Sequence, residues 1–334
     1  MTDARTETAS VVERTRPVPV QAPVVFVRFI GDTAAFVLAE EAVLLASPAG
    51  ETRRIAVHAG AILSAASDPR RLVTGGDDGT VMATDANGQS SLIATDPRRR
   101  WIDHVAVNAS GAVAWSAGKD AHVRTQKGED RVVEAPSTVG GLAFAPKGLR
   151  LAIAHYNGVS LWFPNADAAP ERLEWKGSHL DVTFSPDGRF LVTAMQEPML
   201  HGWRVADARH MRMSGYATKV RSIDWTAGGK WLATSGSAQL ILWPFQGKDG
   251  PMGKEPRLLA PSASRVVAVA CHPARDVVAV GYEDGLVLLV RIEDGAEIVA
   301  KHPGKAPAAA LAWDAKGTQL AFGTEEGEAG VVGL

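Results

Sequence analysis

The chain has 334 residues, of which 46% are hydrophobic and 22% charged, a balance that supports a sizeable buried core and excludes an intrinsically disordered chain. Lys and Arg total 35 against 37 Asp and Glu, a formal net charge of −2, so there is no overall positive field to gather phosphates and a general nucleic-acid binder is disfavoured. One cysteine, Cys271, can form neither an intrachain disulfide nor a multi-thiolate zinc site.

From Met1 to Pro23 the charges Asp3, Arg5, Glu7, Glu13, Arg14 and Arg16 interrupt any apolar run, so no signal-peptide core is visible. No stretch approaches the roughly 20 apolar residues that span a bilayer. These features predict a cytoplasmic protein with no membrane partner, a mobile N-terminal arm at residues 1–10, and one domain over residues 11–334.

Beyond Val24 a unit recurs: an alternating strand, a polar turn, a second apolar strand, a tight turn and a third strand. Leu180 to Phe184, Ser185-Pro186-Asp187-Gly188, Phe190 to Ala194 and Met199 to Val205 form one copy; Val220 to Trp225, Trp231 to Thr234 and Leu240 to Trp243 form another. The last residue of the first strand falls at Phe29, Ser67, Val107, Phe144, Phe184, Trp225, Cys271 and Trp313, at a mean spacing of about 41 residues. That is the period of a four-stranded propeller blade, and the alternation with Val, Ile, Leu and Thr argues for strands over helices. Asp78-Gly79, Asn157-Gly158 and Asp284-Gly285 supply hairpins between second and third strands. Short, more polar fourth strands are expected at Thr52 to Val57, Ser91 to Thr95, Arg131 to Glu134, Arg172 to Trp175, Arg257 to Leu259 and Glu297 to Ala300. The count predicts eight four-stranded antiparallel blades, with seven as the alternative. The last unit ends at Leu334 without a fourth strand, so the segment from Val11 to about Val20 is expected to supply it and close the ring, within limits set by Pro17 and Pro19.

These residues resemble the WD40 repeat family over most of the chain. The resemblance rests on third-strand tryptophans at Trp162, Trp203 and Trp243, the turn at Phe184 to Gly188, and hairpin aspartates at Asp78, Asp120 and Asp284. Thr84, Gln126, Val290 and Val332 replace the tryptophan elsewhere, Glu197 and Ser237 replace the aspartate, and His58 and His179 stand only near the place of the Gly-His pair. The resemblance implies a β-propeller that binds protein partners at its rim. Carried over by register, the rim positions are Trp101, Asp103, Thr138, Ser178, Lys219, Arg221 and Arg265 at the starts of first strands, and Asp77, Lys119, Tyr156, Gln196 and Glu283 at hairpins. Lys219, Arg221 and Arg265 would make a basic arc for an acidic or phosphorylated peptide. Trp101, directly after Arg98-Arg99-Arg100, has the character of an interface anchor. A weaker alternative, carried by the resemblance alone, is docking beside a GTP-dependent metal chaperone.

Catalytic signals are weak. No Gly-x-Ser-x-Gly elbow is present, Gly118-Lys119 and Gly229-Lys230 lack the earlier glycine of a P-loop, and the nine histidines show no metal-binding spacing. Cys271 and His272 alternate to opposite faces of a strand, which makes Cys271 a packed small hydrophobe. Asp77-Asp78-Gly79 and Glu325-Glu326-Gly327-Glu328 lack the ligand ladder of a calcium loop. Arg204, Arg209, His210 and Arg212 read as a basic run in a connecting loop. The sequence therefore predicts a non-catalytic scaffold without cofactor. The alternatives are a metal-dependent hydrolase or lyase using Asp77, Asp103 and Glu283 in the channel, and local RNA or DNA binding at Arg98 to Trp101.

Overall fold

The computed structural model describes residues 9–334 and is built almost wholly of antiparallel strands. Residues 1–8 of the expected N-terminal arm lie outside the described residues. Ser10, inside that arm, makes a parallel bridge with Val299.

Six four-stranded sheets repeat one meander. The first is Val24–Ile30, Thr33–Leu38, Ala42–Ala46 and Thr52–Ala56, paired in that order. The second and third strands, Thr33–Leu38 and Ala42–Ala46, are buried along nearly their whole length, whereas Thr52–Ala56 is mostly exposed, as suits a strand at the outer edge. All eight register residues fall at the last or next-to-last position of an innermost strand, or of the long strand that contains one. These innermost strands neighbour one another in chain order, with Trp225 bonded to Thr183 at the step after Glu171–Phe184, and Val24–Ile30 packs against Ala310–Trp313 to complete a ring.

Counted as hydrogen-bonded sheets, the structure has seven, the alternative count, because residues 141–213 form a single six-stranded sheet. The reason is two long strands. Leu151–Trp162 pairs with Gly141–Phe144 through its first half and with residues 171–174 through its second. Its halves reverse at Asn157 (φ 68°) and Gly158 (φ 141°), which brings His155 Nε2 to 2.9 Å from Ser160 Oγ. Five extended residues would separate these side chains by roughly 16 Å. A Cβ on Gly158 would lie 2.1 Å from the Leu173 carbonyl oxygen, so only glycine fits the reversal. Glu171–Phe184 in turn pairs with the preceding strand up to Ser178 and with Phe190–Met195 from His179 onward.

The chain ends share a sheet as the sequence predicts. Thr15–Pro17 pairs with Ala329–Gly333; Pro17, opposite Gly330, has no N–H to donate, and the Val18 amide carries the link on to the Ala329 carbonyl. The basic run expected in a loop is instead a strand: Arg209–Met213 alternates, with Met211 and Met213 buried, and completes the sheet beside Leu200–Arg204. Two arginines of the run are paired, Arg204 with Asp207 (2.6 Å) and Asp249 (2.7 Å), and Arg209 with Asp249 (3.2 Å), while Arg212 is exposed.

Polar networks hold the second and third strands inside several sheets. His58 Nδ1 meets both Asp78 carboxylate oxygens at 3.2 Å, and Nε2 accepts from Thr74 Oγ1 at 2.9 Å. His179 Nδ1 lies 2.7 Å from Thr193 Oγ1, with no aspartate joining it. Tyr216 takes the histidine's place in the next repeat: its hydroxyl meets Thr234 Oγ1 at 2.9 Å and accepts from Trp243 Nε1 at 2.7 Å. Trp162, Trp203 and Trp243 are buried between sheets. Trp225 and Trp313 reach across to neighbouring innermost strands, donating to Thr183 Oγ1 (3.1 Å) and the Ala270 carbonyl (3.0 Å).

Candidate functional site

Antiparallel pairing puts the start of each first strand at the same end as the hairpin between its second and third strands. The nominated residues therefore all belong to one face of the ring, and they divide between two separate arcs.

On the first arc Asp96 organises the chain before the strand His104–Val107. Its carboxylate accepts the amides of Arg98 (2.9 Å) and Arg100 (3.0 Å) and pairs with the Arg100 guanidinium at 2.7 Å. Arg100 also pairs with Asp120 at 2.9 Å. Burial pulls the Asp96 carboxyl upward, but these hydrogen bonds outweigh it and hold the group below the usual carboxylate range. Arg99 has a left-handed φ of 53°, and the amide of fully buried Ile102 donates to the Gly76 carbonyl at 3.0 Å. With Ile102 anchored inward, Trp101 is turned out and is 61% exposed. Lys119 is exposed at the next hairpin tip, and its carbonyl accepts the Ala135 amide at 2.9 Å. Tyr156 is 53% exposed one repeat further on, with its amide donating to Ser137 Oγ at 2.8 Å. Its own carbonyl accepts from His155 Nδ1 at 2.8 Å. Tyr156, Pro136, Trp175, Arg172 and Lys176 line a groove of about 640 Å³. Asp103 is half-buried beneath this surface, and Thr138 is exposed on it.

The second arc is less basic than the sequence suggests. Arg265 is paired in two places with Glu283, at 2.6 and 3.0 Å. That pairing holds the Glu283 carboxyl below its ordinary range. Lys219 is half-buried, and Arg221 lines the mouth of the channel. Asp77 and Asp103 do not line the channel cavity with Glu283. Among the described residues no group of three or more His, Cys, Asp or Glu could hold a metal ion. Cys271 packs in an apolar cluster, and burial raises its thiol well above the usual range. His272 is engaged elsewhere: Nδ1 accepts the amides of Ala274 and Arg275, both at 3.0 Å, and Nε2 donates to the Gly317 carbonyl.

The channel contains charges that the rim register did not nominate. A cavity of about 770 Å³ is lined by Arg28, Asp181 and Asp224 among mostly small or apolar neighbours. Arg28 donates to the Val27 carbonyl at 2.8 Å and to the Ala65 carbonyl at 3.4 Å. Asp224 Oδ1 accepts the Trp225 amide at 2.9 Å and Oδ2 the Cys271 amide at 2.7 Å, bridging two innermost strands. Asp181 Oδ1 accepts the Val182 amide at 2.8 Å. Burial raises both carboxyls to about 6, the neighbouring amides and Arg28 pulling the other way. Asp181 is exposed within the channel, yet the surrounding protein still raises its carboxyl. The signal was available. One residue before each register position stand Arg28, Ala66, Ala106, Ala143, Thr183, Asp224, Ala270 and Ala312, so two charges break a row of small residues.

Comparison with known proteins agrees with this architecture. Residues 209–244 match the family described as WD domain, G-beta repeat. The meiotic recombination protein rec14 of Schizosaccharomyces pombe is 26% identical over 155 residues, 43% of this chain and 51% of that protein. The WD repeat-containing protein slp1 of the same organism is 26% identical over 179 residues, 47% of this chain and 35% of that protein. The chain thus spans about half or less of these relatives' length. Among solved structures, the computationally designed Ika8 protein superimposes with a TM-score of 0.76 at 17% identity, covering 94% of this chain and 97% of that one. The RRP9 WD40 repeats give 0.62 at 15% identity, covering 83% and 95%.

Proposed function

We propose that this chain, a member of the WD40-repeat β-propellers, is a non-catalytic protein-interaction scaffold whose first arc receives an acidic segment of a partner protein. One observation carries the reading. Exposed Trp101 and Tyr156 stand on the same face as Arg98, Arg99 and Lys119, and none of these three cations has a carboxylate within ion-pair distance among the described residues. Rigid aromatic anchors beside unpaired cations suit an acidic peptide with an apolar residue. The second arc, with Arg265 neutralised by Glu283, contributes less, and Asp103, Lys219, Arg221 and Glu283 act as flanking contacts.

A cytoplasmic place of action belongs to the same reading, supported by the single buried Cys271; no helix among the described residues is long and apolar enough to cross a membrane. We also read the six-stranded sheet as two four-stranded blades. The reversal at Asn157-Gly158 and the change of partner within Glu171–Phe184 support eight repeats in one domain over residues 11–334.

The test is a library of acidic peptides with one aromatic or aliphatic residue, selected on the wild-type protein and on Trp101→Ala, Lys119→Glu and Lys219→Glu variants. Enriched sequences should lose binding to the first two and be weakened distinctly less by the third, at a flanking contact. Selection of no acidic sequence, or equal binding to all three variants, overturns the assignment.

A further inference from the structure

We propose that the central channel binds a small dipolar molecule of the amino-acid class, with its carboxylate on the Arg28 guanidinium and its ammonium group on Asp181 and Asp224.

The argument starts from incomplete pairing. A guanidinium carries five N–H donors. Arg28 gives one good hydrogen bond, to Val27, and one long one, to Ala65. The remainder are available in the cavity. Asp181 Oδ2 receives no hydrogen bond from the described residues, and each Asp224 oxygen keeps a lone pair beyond its single amide donor. Opposite charges in a poorly solvated place ordinarily meet as ion pairs. Here Arg28 makes no ion pair with either aspartate within 4.0 Å, although both lie close enough to influence it through the channel.

Arg28 and the aspartates also come from well-separated parts of the ring, and each is fixed by its own innermost strand. A ligand with only one charge would satisfy one side and leave the other unmatched. A dipolar one satisfies both, with the planar fork of Arg28 suited to a carboxylate. The cavity, about 770 Å³, falls in the range of small-molecule sites. Walls such as Ala268, Ala270, Ala310 and Ala312 surround these three charges; of the other charged lining residues, Glu283 is paired with Arg265 and Asp314 accepts the amides of Thr318 and Gln319, while Arg221 and Glu325 also line the cavity.

The experiment is calorimetric titration of the full chain with glycine, L-glutamate and L-lysine, alongside acetate and methylammonium as single-charge controls. At least one amino acid should bind with a dissociation constant of about 1 mM or tighter, and its N-acetyl and methyl-ester forms should bind at least about tenfold more weakly. Arg28→Gln and Asp181→Asn should each produce a comparable loss, while Trp101→Ala should leave binding unchanged, which separates the channel from the rim. The blocked ligands test the same contacts on wild-type protein should a channel variant fail to fold. The proposal is overturned if no amino acid gives a binding isotherm, if the blocked forms bind as well as the free one, or if folded channel variants bind like wild type.

Discussion

Arg16 lies directly across from Val331, so the first strand among the described residues is hydrogen-bonded to the last. The link extends on both sides. The Val18 amide donates to the Ala329 carbonyl at 2.9 Å, and the Val11 amide donates to Val299, on the preceding sheet, at 2.9 Å. The N-terminal segment thereby ties two neighbouring sheets and covers the edge of Ala329–Gly333.

Deleting residues 1–20 should therefore destabilise the whole ring. Val18 and Val20 are buried at 4% and 1% exposure. Their loss alone costs about 3 kcal/mol, at roughly 1.5 kcal/mol each. The uncovered edge should also promote self-association. Urea unfolding and sedimentation of the truncated chain check this, and an unchanged unfolding midpoint with no new oligomer would refute it.

Asp78→Ala should cost about 2 to 3 kcal/mol, because fully buried His58 loses its acceptor and the amides of Ala59 and Thr80 lose theirs. Burial alone would raise the Asp78 carboxyl, but those hydrogen bonds win and its folded pKa is lowered. The unfolded group therefore binds protons more readily, and its contribution is present above the usual aspartate range and lost as pH falls through the lower folded value. Denaturant midpoints at neutral and acid pH should show the wild-type advantage over Asp78→Ala shrinking in acid.

His201 offers a substitution with the opposite sign at neutral pH. It is fully buried, its ring stacks 4.0 Å from Trp175, and neither ring nitrogen has a hydrogen-bond partner. Burial first, then the charges of His179, His210 and Arg212, lowers its pKa to about 3. His201→Phe keeps an aromatic ring without the unsatisfied atoms, so it should be neutral or stabilising by up to about 1 kcal/mol. Wild type should lose stability relative to this variant as pH falls from about 6.5, where the unfolded histidine begins to take a proton the folded one refuses. Equal pH dependence of the two unfolding midpoints would show that His201 does not supply the effect.

The repeat was legible because its signals are local. Turn residues such as Pro186-Asp187-Gly188 and strand alternation act over a few positions, and they located the innermost strands and the closing segment. The single sheet through residues 141–213 was less visible, since it depends on how tightly Asn157-Gly158 reverses and on the strand continuing through Lys176 and Gly177. At the rim, spacing identified which residues share a face but could not reveal that Glu283 neutralises Arg265 or that Asp96 and Asp120 engage Arg100. Those partners come from hairpins and links whose side-chain directions the repeat does not specify. The channel charges needed a comparison of equivalent positions across repeats, where Arg28 and Asp224 stand out against alanines.

The channel aspartates predict a stability cost at neutral pH in the absence of ligand. With folded pKa values raised to about 6, Asp181 and Asp224 retain protons that the unfolded chain has already released above about 4. The native state binds more protons across that interval, so stability falls as pH rises from about 4 to about 6 and then levels off. Asp181→Asn removes its share of this dependence while retaining an oxygen that can accept the Val182 amide. The variant should therefore unfold at a higher temperature than wild type at pH about 8, with the difference shrinking toward pH about 4, where wild-type Asp181 is itself neutral. Thermal unfolding across that range decides the matter: a variant less stable than wild type at alkaline pH would mean that the ionised carboxylate is held by favourable contacts and is not under strain.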